Sequence, residues 1–520
     1  MPKAARKGRE DGLPFSMKLW NFSIGMRRNS VYNGRKNRHR SFAAREEDGM
    51  SQTVKARHFT EGKLLPLIIK FTIPLMLTGV LQLLFNTADT VMVGRWGGDT
   101  PAQCEAALAA VGSCGSLVNM IIVLFANLSL GAGVAIAQDI GARDYGGVRR
   151  TVHTAVLLAV ILGFAIVPVG IFGGRTFLTW MGTDASILDD AVLYMTAIFC
   201  GIPASMLYNY CAAIVRSAGD TVRPLRYLLI SGVLNVGLNA IAVVWLRMGA
   251  LGVGIATAIS NWVSCAMILG HMMRAKDRPY HLDLRAIGID AEKIKFILRI
   301  GIPAGIQGLI FTFSHVLIQS TINSFGPAAV AGNAAAANLQ GYAYQPTSAL
   351  YQTAVTFVGQ HKGAGLYDRM KKCILLSAAS AAVVGAVTSL AMVLSGPLLL
   401  SMYLPDNPDA MAVGLISMRT YLPGLFLCGL MEVGSGVMRG LGRSTTAMVT
   451  SLLGSVALRV VWILWIFPFN PVLFMLYLSY PVTWLITSSA HYILAARAWR
   501  RDAVAHREEM AQKEVEECSV

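Results

Sequence analysis

One motif occurs twice in this chain, and each copy lies between two long apolar segments. The first copy, QDIGARDY, occupies residues 138–145, and the second, QHKGAGLY, occupies residues 360–367. Gln, Gly, Ala and Tyr keep the same spacing in both copies, and a pair of basic residues follows each at the same distance. An apolar chain that repeats itself in two halves is typical of secondary transporters, which bind their substrate between the halves.

The composition indicates the environment of the chain. Of the 520 residues, 54% are hydrophobic and 14% are charged, whereas a soluble domain carries about 25% charged residues. Many apolar runs of roughly 20 residues predict a polytopic helical membrane protein. The net charge of +16 is concentrated in residues 1–60 and in alternate loops, which favours membrane topology over nucleic-acid binding as its cause. The eight cysteines contain no CxxC pair, so we expect no metal site, disulfide framework or cofactor.

Twelve apolar segments are divided equally between the two halves. They span approximately residues 64–94, 102–138, 149–173, 186–216, 222–246, 249–272, 295–325, 328–359, 372–397, 408–440, 444–468 and 472–498. Basic loops alternate with acidic loops, so the positive-inside rule places both termini in the cytoplasm. Because each half has an even number of spans, the halves share one orientation. The sequence therefore predicts an all-α membrane protein with twelve transmembrane helices in two six-helix lobes, related by a pseudo-two-fold axis along the membrane normal.

The charge pattern divides the chain into five regions. We predict a basic, disordered cytoplasmic tail at 1–60, an N-lobe at 61–275, a cytoplasmic linker at 276–294, a C-lobe at 295–500 and a cytoplasmic C-terminal tail at 501–520. Residues 1–60 lack the apolar core of a signal peptide. Met50 opens the polar stretch before the first span, so residues 1–49 are either an over-extended reading frame or a cytoplasmic tail.

Further motifs accompany the repeat, and together they resemble one family. They are PLMLTGVLQLLFNTADTVMVGRWG at 74–97, QxxGA at 138–142, RSAGDT at 216–221, GALGVGIAT at 249–257, QxxxxG at 360–365 and RGLG at 439–442. This set resembles the MATE (multidrug and toxic compound extrusion) transporters over roughly residues 60–500. The resemblance implies two six-helix lobes, alternating access, and export of amphipathic compounds driven by inward flow of H⁺ or Na⁺. The loop motifs themselves are interpreted as cytoplasmic turns fixed by glycine, which need not touch substrate.

Asp89 is the candidate coupling residue, because it is a carboxylate near the outer end of the first span. A charge at the bilayer centre costs about 2.5–3.5 kcal/mol, so Asp89 should face a cavity or a polar partner. The alternative is an interfacial Asp that is merely solvated or is capped by Asn86. Asn235 and Asn239 share a helix face, and Thr257 falls at similar depth in the next span. These four residues resemble the N-lobe cation site of prokaryotic MATE proteins, where an Asp often replaces Asn239, so we favour H⁺ over Na⁺.

The second half has a different polar set, and its candidate cavity residues are His315, Gln340, Tyr344, Arg419, Glu432 and Arg459. His315 is either titratable or hydrogen-bonded to a backbone carbonyl. The two arginines and Glu432 form either a buried charge cluster that fixes the tenth and eleventh spans, which we favour, or part of the cavity wall. Ile318 stands where the repeat places the counterpart of Asp89. We therefore expect ion coupling in the first lobe and substrate surface in the second.

The function favoured by these features is a secondary active antiporter that exports amphipathic drugs or metabolites in exchange for H⁺ or Na⁺. The alternative is a lipid-linked oligosaccharide flippase of the same broad superfamily, which would need a strongly cationic central cavity. An enzyme and an ATP-driven pump are disfavoured, because the chain has no HExxH, nucleophile or P-loop motif. We expect a monomer in the plasma (inner) membrane that contacts lipid and small-molecule substrate and binds no nucleic acid.

Deletion of residues 1–49 should leave membrane insertion and transport unchanged, because this segment has no apolar periodicity. Met50 is a candidate translation start that lies shortly before the first span. The measurement is the yield of monodisperse protein and its transport rate, compared with the full chain. A loss of folded protein on deletion would show that the tail is structural.

Overall fold

The computed structural model describes residues 59–405 and 407–518, and these form twelve long helices without a β-strand among them. The helices are α1 (Leu64–Trp96), α2 (Pro101–Gly141), α3 (Tyr145–Trp180), α4 (Leu188–Ser217), α5 (Val222–Trp245), α6 (Gly249–Arg274), α7 (Ala291–Asn323), α8 (Pro327–Gly363), α9 (Tyr367–Tyr403), α10 (Pro408–Gly440), α11 (Ser444–Phe469) and α12 (Leu473–Cys518). By length and composition, ten of them could cross a membrane, and the more polar α8 and α12 are the exceptions. The prediction of a twelve-helix protein is confirmed. Residues 1–58 of the tail predicted over 1–60, with the candidate start at Met50, lie outside the described residues. Phe59, which was also assigned to the disordered tail, is instead 4% exposed and packs on Phe71 and Phe357.

The two copies of the repeated motif lie at equivalent helix ends. α2 and α8 each end at the glycine of the motif, and the next turn contains a left-handed residue, Arg143 with φ 59° and Gly365 with φ 67°. Glycine adopts this conformation without a steric penalty, whereas arginine does not. Asp144 then caps α3 by accepting a 2.7 Å hydrogen bond from the Gly147 backbone N–H. We call the end of the helix bundle that carries Gly141 and Gly363 the motif side, and the other end the opposite side.

The fifth helix of each lobe contains π-helical turns. They occupy Ala240–Trp245 in α5, and Leu452–Ala457 and Trp462–Ile466 in α11. A π turn adds a residue to the helical turn and so changes the direction of the side chains beyond it, and such turns are frequent at functional sites. Asn239 immediately precedes the π turn of α5. The equivalent position of these irregularities supports the relation between the lobes.

Two helices depart from a simple membrane span. α10 is interrupted by a 3₁₀ turn over Leu422–Gly424, because Pro423 has no backbone N–H to donate. α12 does not end near residue 498 but continues as a helix to Cys518, through the region assigned to the C-terminal tail. The indole N–H of Trp499 donates to the Tyr367 carbonyl oxygen at 2.9 Å, which holds the start of this extension against α9.

Each lobe has its own apolar core. In the N-lobe, α3, α4 and α6 bury Val152, Phe199 and Ile268 in one cluster. In the C-lobe, α9 and α12 contribute Leu400 and Leu476 to another. On the outside of α9, five aliphatic residues recur at spacings of three and four and are 61–73% exposed; they are Val383, Val387, Leu390, Leu394 and Leu398. An apolar stripe of this kind is the face that a membrane helix presents to lipid.

The first helix of each lobe also packs on the other lobe. On the motif side, Phe71 of α1 packs edge-on against Phe357 of α8, with ring centroids 5.5 Å apart. Ile297 of α7 is fully buried in the N-lobe core. The backbones of α7 and α2 approach closely because Gly301 has no side chain; an added Cβ would lie 2.6 Å from the Leu128 carbonyl oxygen. The lobes are therefore interlocked through α1 and α7.

Gly201→Leu should destabilise the N-lobe, because an added Cβ at Gly201 would lie 2.8 Å from the Cα of Ala258 and would push α4 away from α6. Overpacking of this kind typically costs about 1–3 kcal/mol. The midpoint of thermal unfolding in detergent measures it. The control is Gly112→Leu in α2, where an added Cβ meets nothing within 4 Å. Equal midpoints for the two variants would contradict the proposed close packing.

Candidate functional site

The four residues predicted to bind the coupling ion lie together. Asp89 of α1 accepts a hydrogen bond from the side-chain amide of Asn239 in α5. The same amide nitrogen is 3.4 Å from the Asn235 side-chain oxygen, and the Asn235 amide nitrogen is 3.4 Å from the Thr257 hydroxyl of α6. A chain of hydrogen bonds thus links three helices of the N-lobe and ends at the carboxylate.

The close approach of α1 and α5 near this site depends on Gly232. A Cβ at Gly232 would overlap the ring of Phe85, so only glycine lets the two helices meet here. Asn239 is fully buried and Asn235 is 6% exposed, whereas Asp89 is half-buried. The amides are fixed within the lobe, and the carboxylate stands at its edge.

One acceptor of this site is unused. The side-chain oxygen of Asn239 is buried and accepts no hydrogen bond in the described part of the chain. A buried polar atom without a partner costs about 1–3 kcal/mol, so its position beside a carboxylate calls for an explanation. A proton on Asp89 could be donated to this oxygen after rotation of the amide, and a bound cation could also be coordinated by it.

The charge of Asp89 is not balanced by a basic side chain. Within residues 59–405 and 407–518, no Lys, Arg or His forms an ion pair with it. The same residues contain no group of three or more His, Cys, Asp or Glu side chains that could hold a metal ion. Asp89 is thus an isolated carboxylate among neutral hydrogen-bonding groups.

The polar residues of the C-lobe form two separate groups. In the first, Glu432 of α10 accepts a 3.1 Å hydrogen bond from the Tyr344 hydroxyl of α8. Along the same pair of helices, the Gln340 side-chain amide donates to the Ser417 hydroxyl at 3.0 Å. These contacts join α8 to α10 through three of the predicted cavity residues, Gln340, Tyr344 and Glu432.

The second group surrounds Arg459 of α11, which is 4% exposed. Its guanidinium lies 3.4 Å from the Ser314 hydroxyl and 3.3 Å from the Thr483 hydroxyl. It also stacks 4.2 Å from the ring centroid of Tyr480, whose hydroxyl is 3.3 Å from His315. Neutral oxygens and a π face therefore hold this cation between α7, α11 and α12.

The charged residues of the C-lobe do not form the contact cluster that the sequence favoured. Among the described residues, no ion pair joins Arg419, Glu432 and Arg459, and Arg419 is exposed. Within the part of the chain that the structure describes, His315 contacts the Tyr480 hydroxyl and no backbone carbonyl. Positions in neighbouring spans did not imply contact, since the assignment of a span leaves the rotation of each helix about its axis undetermined.

The repeated glutamines have a contact that the sequence interpretation missed. The Gln138 side-chain amide donates to the Gly440 carbonyl oxygen at 2.9 Å, and the Gln360 amide donates to the Ser217 carbonyl oxygen at 3.0 Å. Each of these bonds crosses between the lobes. The available signal was an amide at the same helix position in both halves, although only the fold shows its partner.

A second residue of the repeated motifs is also buried. Arg439, in the last turn of α10, is 4% exposed and donates to Gln307 at 2.9 Å and to the hydroxyl of Tyr351. It belongs to a helix end and not to an exposed loop. The motifs of the repeat therefore lie at buried helix contacts on the motif side.

Comparison with known proteins agrees with this architecture. The MatE family model matches residues 74–241 and 303–465, one match in each lobe. The chain is 26% identical over 392 residues to "Probable multidrug resistance protein YoeA" of Bacillus subtilis (strain 168), a match that covers 74% of this chain and 82% of that protein. It is 23% identical over 394 residues to "Probable multidrug resistance protein NorM" of Thermotoga maritima, again with 74% and 82% covered.

The fold is also that of solved transporters. It superimposes with a TM-score of 0.80, at 21% identity, on a structure described as "Outward-facing conformation of a multidrug resistance MATE family transporter of the MOP superfamily", covering 88% of this chain and 100% of that one. The predicted two-lobe arrangement is confirmed by this similarity and by the two family matches. With more than half of its residues matched by the family model and its spans in the expected order, the chain belongs to the MATE family of multi-pass membrane transporters.

Proposed function

We propose that this chain is an antiporter that exports amphipathic drugs or metabolites in exchange for inward H⁺. The observation that carries the proposal is the isolated Asp89 carboxylate, hydrogen-bonded by a neutral amide whose own oxygen is free. The names of the relatives from Bacillus subtilis and Thermotoga maritima, both called probable multidrug resistance proteins, support the class of substrate.

Coupling follows from the electrostatic cost of the carboxylate. An unpaired charge among apolar helices is unfavourable, and uptake of a proton or a monovalent cation removes that charge. A change in access that moves Asp89 between a wet and a drier environment therefore changes its affinity for the ion. A gradient of that ion can then drive the transporter in one direction, because binding and release occur on opposite sides of the membrane.

The composition of the site favours H⁺ over Na⁺. A hard cation requires several oxygen ligands, but the Asn235 oxygen already lies within reach of the Asn239 amide, and only Asp89 supplies a negative charge. A proton needs one carboxylate and, at most, one acceptor. The free oxygen of Asn239 can be that acceptor.

The distribution of hydrogen bonds between the lobes supports alternating access. Apart from the Thr87–Tyr342 hydroxyl pair, the hydrogen bonds between the lobes among the described residues lie on the motif side, including those of Gln138 and Gln360. The motif side carries the basic loops, so we assign it to the cytoplasm of a plasma-membrane protein. On this assignment the described state is closed toward the cytoplasm, as expected for the state that releases substrate outside.

A lipid-linked oligosaccharide flippase is less well supported. That function needs cationic side chains free to meet a diphosphate in the cavity. Arg459 is instead buried against the Tyr480 ring and two hydroxyls. Only the exposed Arg419 remains of the two arginines that suggested this alternative.

Asp89→Asn should fold normally and abolish gradient-driven efflux, because it removes the ionisable group with little change in volume. The measurement is efflux of a fluorescent amphipathic cation from proteoliposomes under separately imposed pH and Na⁺ gradients. Asp190→Asn, the same change at an exposed position in the first turn of α4, is the matched control and should retain efflux. Undiminished efflux by well-folded Asp89→Asn would rule out this carboxylate as the coupling group.

Asn239→Ala and Glu432→Gln test whether coupling belongs to the N-lobe. Asn239→Ala removes the donor to Asp89 and should weaken the dependence of efflux on the ion gradient by roughly tenfold, the equivalent of about 1.4 kcal/mol. Glu432→Gln keeps a group that can bond Tyr344 and should mainly change stability or substrate range. The ion dependence of both variants is measured in the same proteoliposomes. If Glu432→Gln uncouples transport and Asn239→Ala does not, the assignment of the lobes is reversed.

A further inference from the structure

We propose that Gln138 and Gln360 form a reciprocal latch that holds the two lobes together on the motif side, and that release of this latch is the step that opens this side. The inference rests on the proposed function insofar as it assigns a role in alternating access. The contacts that make up the latch are independent of substrate and coupling ion.

The two hydrogen bonds of the latch are related by the pseudo-two-fold axis. Gln138 at the end of α2 bonds the Gly440 carbonyl at the end of α10, and Gln360 at the end of α8 bonds the Ser217 carbonyl at the end of α4. Ser217 and Gly440 follow the arginines of RSAGDT and RGLG, so they are equivalent in the repeat. The last carbonyls of a helix lack an intrahelical partner. Each glutamine therefore supplies the missing donor to a helix end of the other lobe.

The glycine of each motif is the second part of the latch. A Cβ on Gly141 would overlap the carbonyl oxygen of Gln360, and a Cβ on Gly363 would overlap the carbonyl oxygen of Gln138. The backbones of α2 and α8 are thus in contact at the two motifs, each glycine against the other glutamine. The spacing QxxG, common to both copies, places the donor and the contact point on the same helix end.

The two halves of the latch differ in their exposure to water. Gln360 is fully buried, and its side-chain oxygen accepts a 3.0 Å hydrogen bond from the Phe59 backbone N–H. The Phe59 ring covers this bond by stacking on Phe357, with centroids 4.2 Å apart. Gln138 is half-buried. The Gln360 bond is consequently the stronger of the two, because a hydrogen bond gains strength where water is excluded.

Hydrogen bonds suit a contact that must open repeatedly. When the lobes separate, water replaces each lost partner, so the net cost of opening stays small. A seal made only of apolar side chains would gain more from closure and would expose that surface to water on opening. The latch thus stabilises the closed state by an amount that substrate binding can overcome.

The test measures the distance between the lobes by electron paramagnetic resonance in nanodiscs. Spin labels are placed at Arg226→Cys in α5 and Lys372→Cys in α9, both exposed on the motif side, and in a second sample at Met181→Cys and Met402→Cys on the opposite side. The exposed native cysteines, Cys200 and Cys518, are replaced by Ser in every sample. No substrate and no gradient are applied.

Gln138→Leu combined with Gln360→Leu removes both donors at nearly constant volume. We expect the motif-side distance to lengthen, the opposite-side distance to shorten, and the ratio of open to closed molecules to rise by roughly tenfold or more. Gln360→Leu alone should have the larger single effect. The matched control is Gln319→Leu, which removes hydrogen bonds to Asn323 and Asn333 within one lobe and should leave both distances unchanged.

A second pair of variants tests the latch without changing a hydrogen-bonding group. Gly141→Ala places a methyl group against the Gln360 carbonyl and should lengthen the motif-side distance, whereas Gly112→Ala in the same helix should not. The two glycine variants test the latch even if the double glutamine variant fails to fold. Unchanged distances in folded Gly141→Ala or in the double variant overturn the latch. A failure of ion-driven efflux with lengthened distances would count against the proposed function and leave the latch intact.

Discussion

The contact on which the rest of the structure depends is the crossing of α2 and α8 at Gly141 and Gly363. Two helices can meet backbone to backbone only where neither carries a side chain. Because this crossing lies on the motif side, the lobes are held together there. The Asp89 site and the two polar groups of the C-lobe occupy helix positions farther from this crossing.

The pseudo-symmetry of the backbone does not extend to its chemistry. Ile318, the counterpart of Asp89 in the repeat, is 2% exposed and packs in an apolar cluster. The C-lobe instead buries Arg459, a cation that no carboxylate pairs within the described residues. The N-lobe site therefore has one carboxylate without a cationic partner, whereas the C-lobe has a carboxylate, Glu432, and a cation, Arg459, neither of which forms an ion pair among the described residues.

Much of the architecture could be predicted from sequence, because hydropathy and the repeat both report on the membrane. The segment predicted at 222–246 is the helix Val222–Trp245. The proximity of the four N-lobe candidates was predictable as well, in part because Asn235 and Asn239 are one helical turn apart. The extension of α12 to Cys518 was not, because hydropathy detects a membrane span and does not detect a polar helix beyond it.

The contacts of the C-lobe could not be derived in the same way. Glu432 and Arg459 have their partners on helices distant in sequence, and which faces meet is decided by the rotation and tilt of each helix. The amides of Gln138 and Gln360 were visible as a repeat, but a repeat states only that two positions are equivalent. Only the assembled structure shows that each glutamine bonds a helix end of the other lobe.

The packing of each lobe's first helix on the other lobe has a consequence for how the protein is made. During synthesis the N-lobe is inserted first, but the face of α2 that receives Gly301 and Ile297 of α7 stays uncovered until the second half begins to emerge. The motif-side half of α1 stays uncovered for longer, because its partner Phe357 lies in α8, which is synthesised after α7. The two halves therefore mature as one folding unit, and a ribosome that stalls in the linker would leave an inserted first half whose core is incomplete.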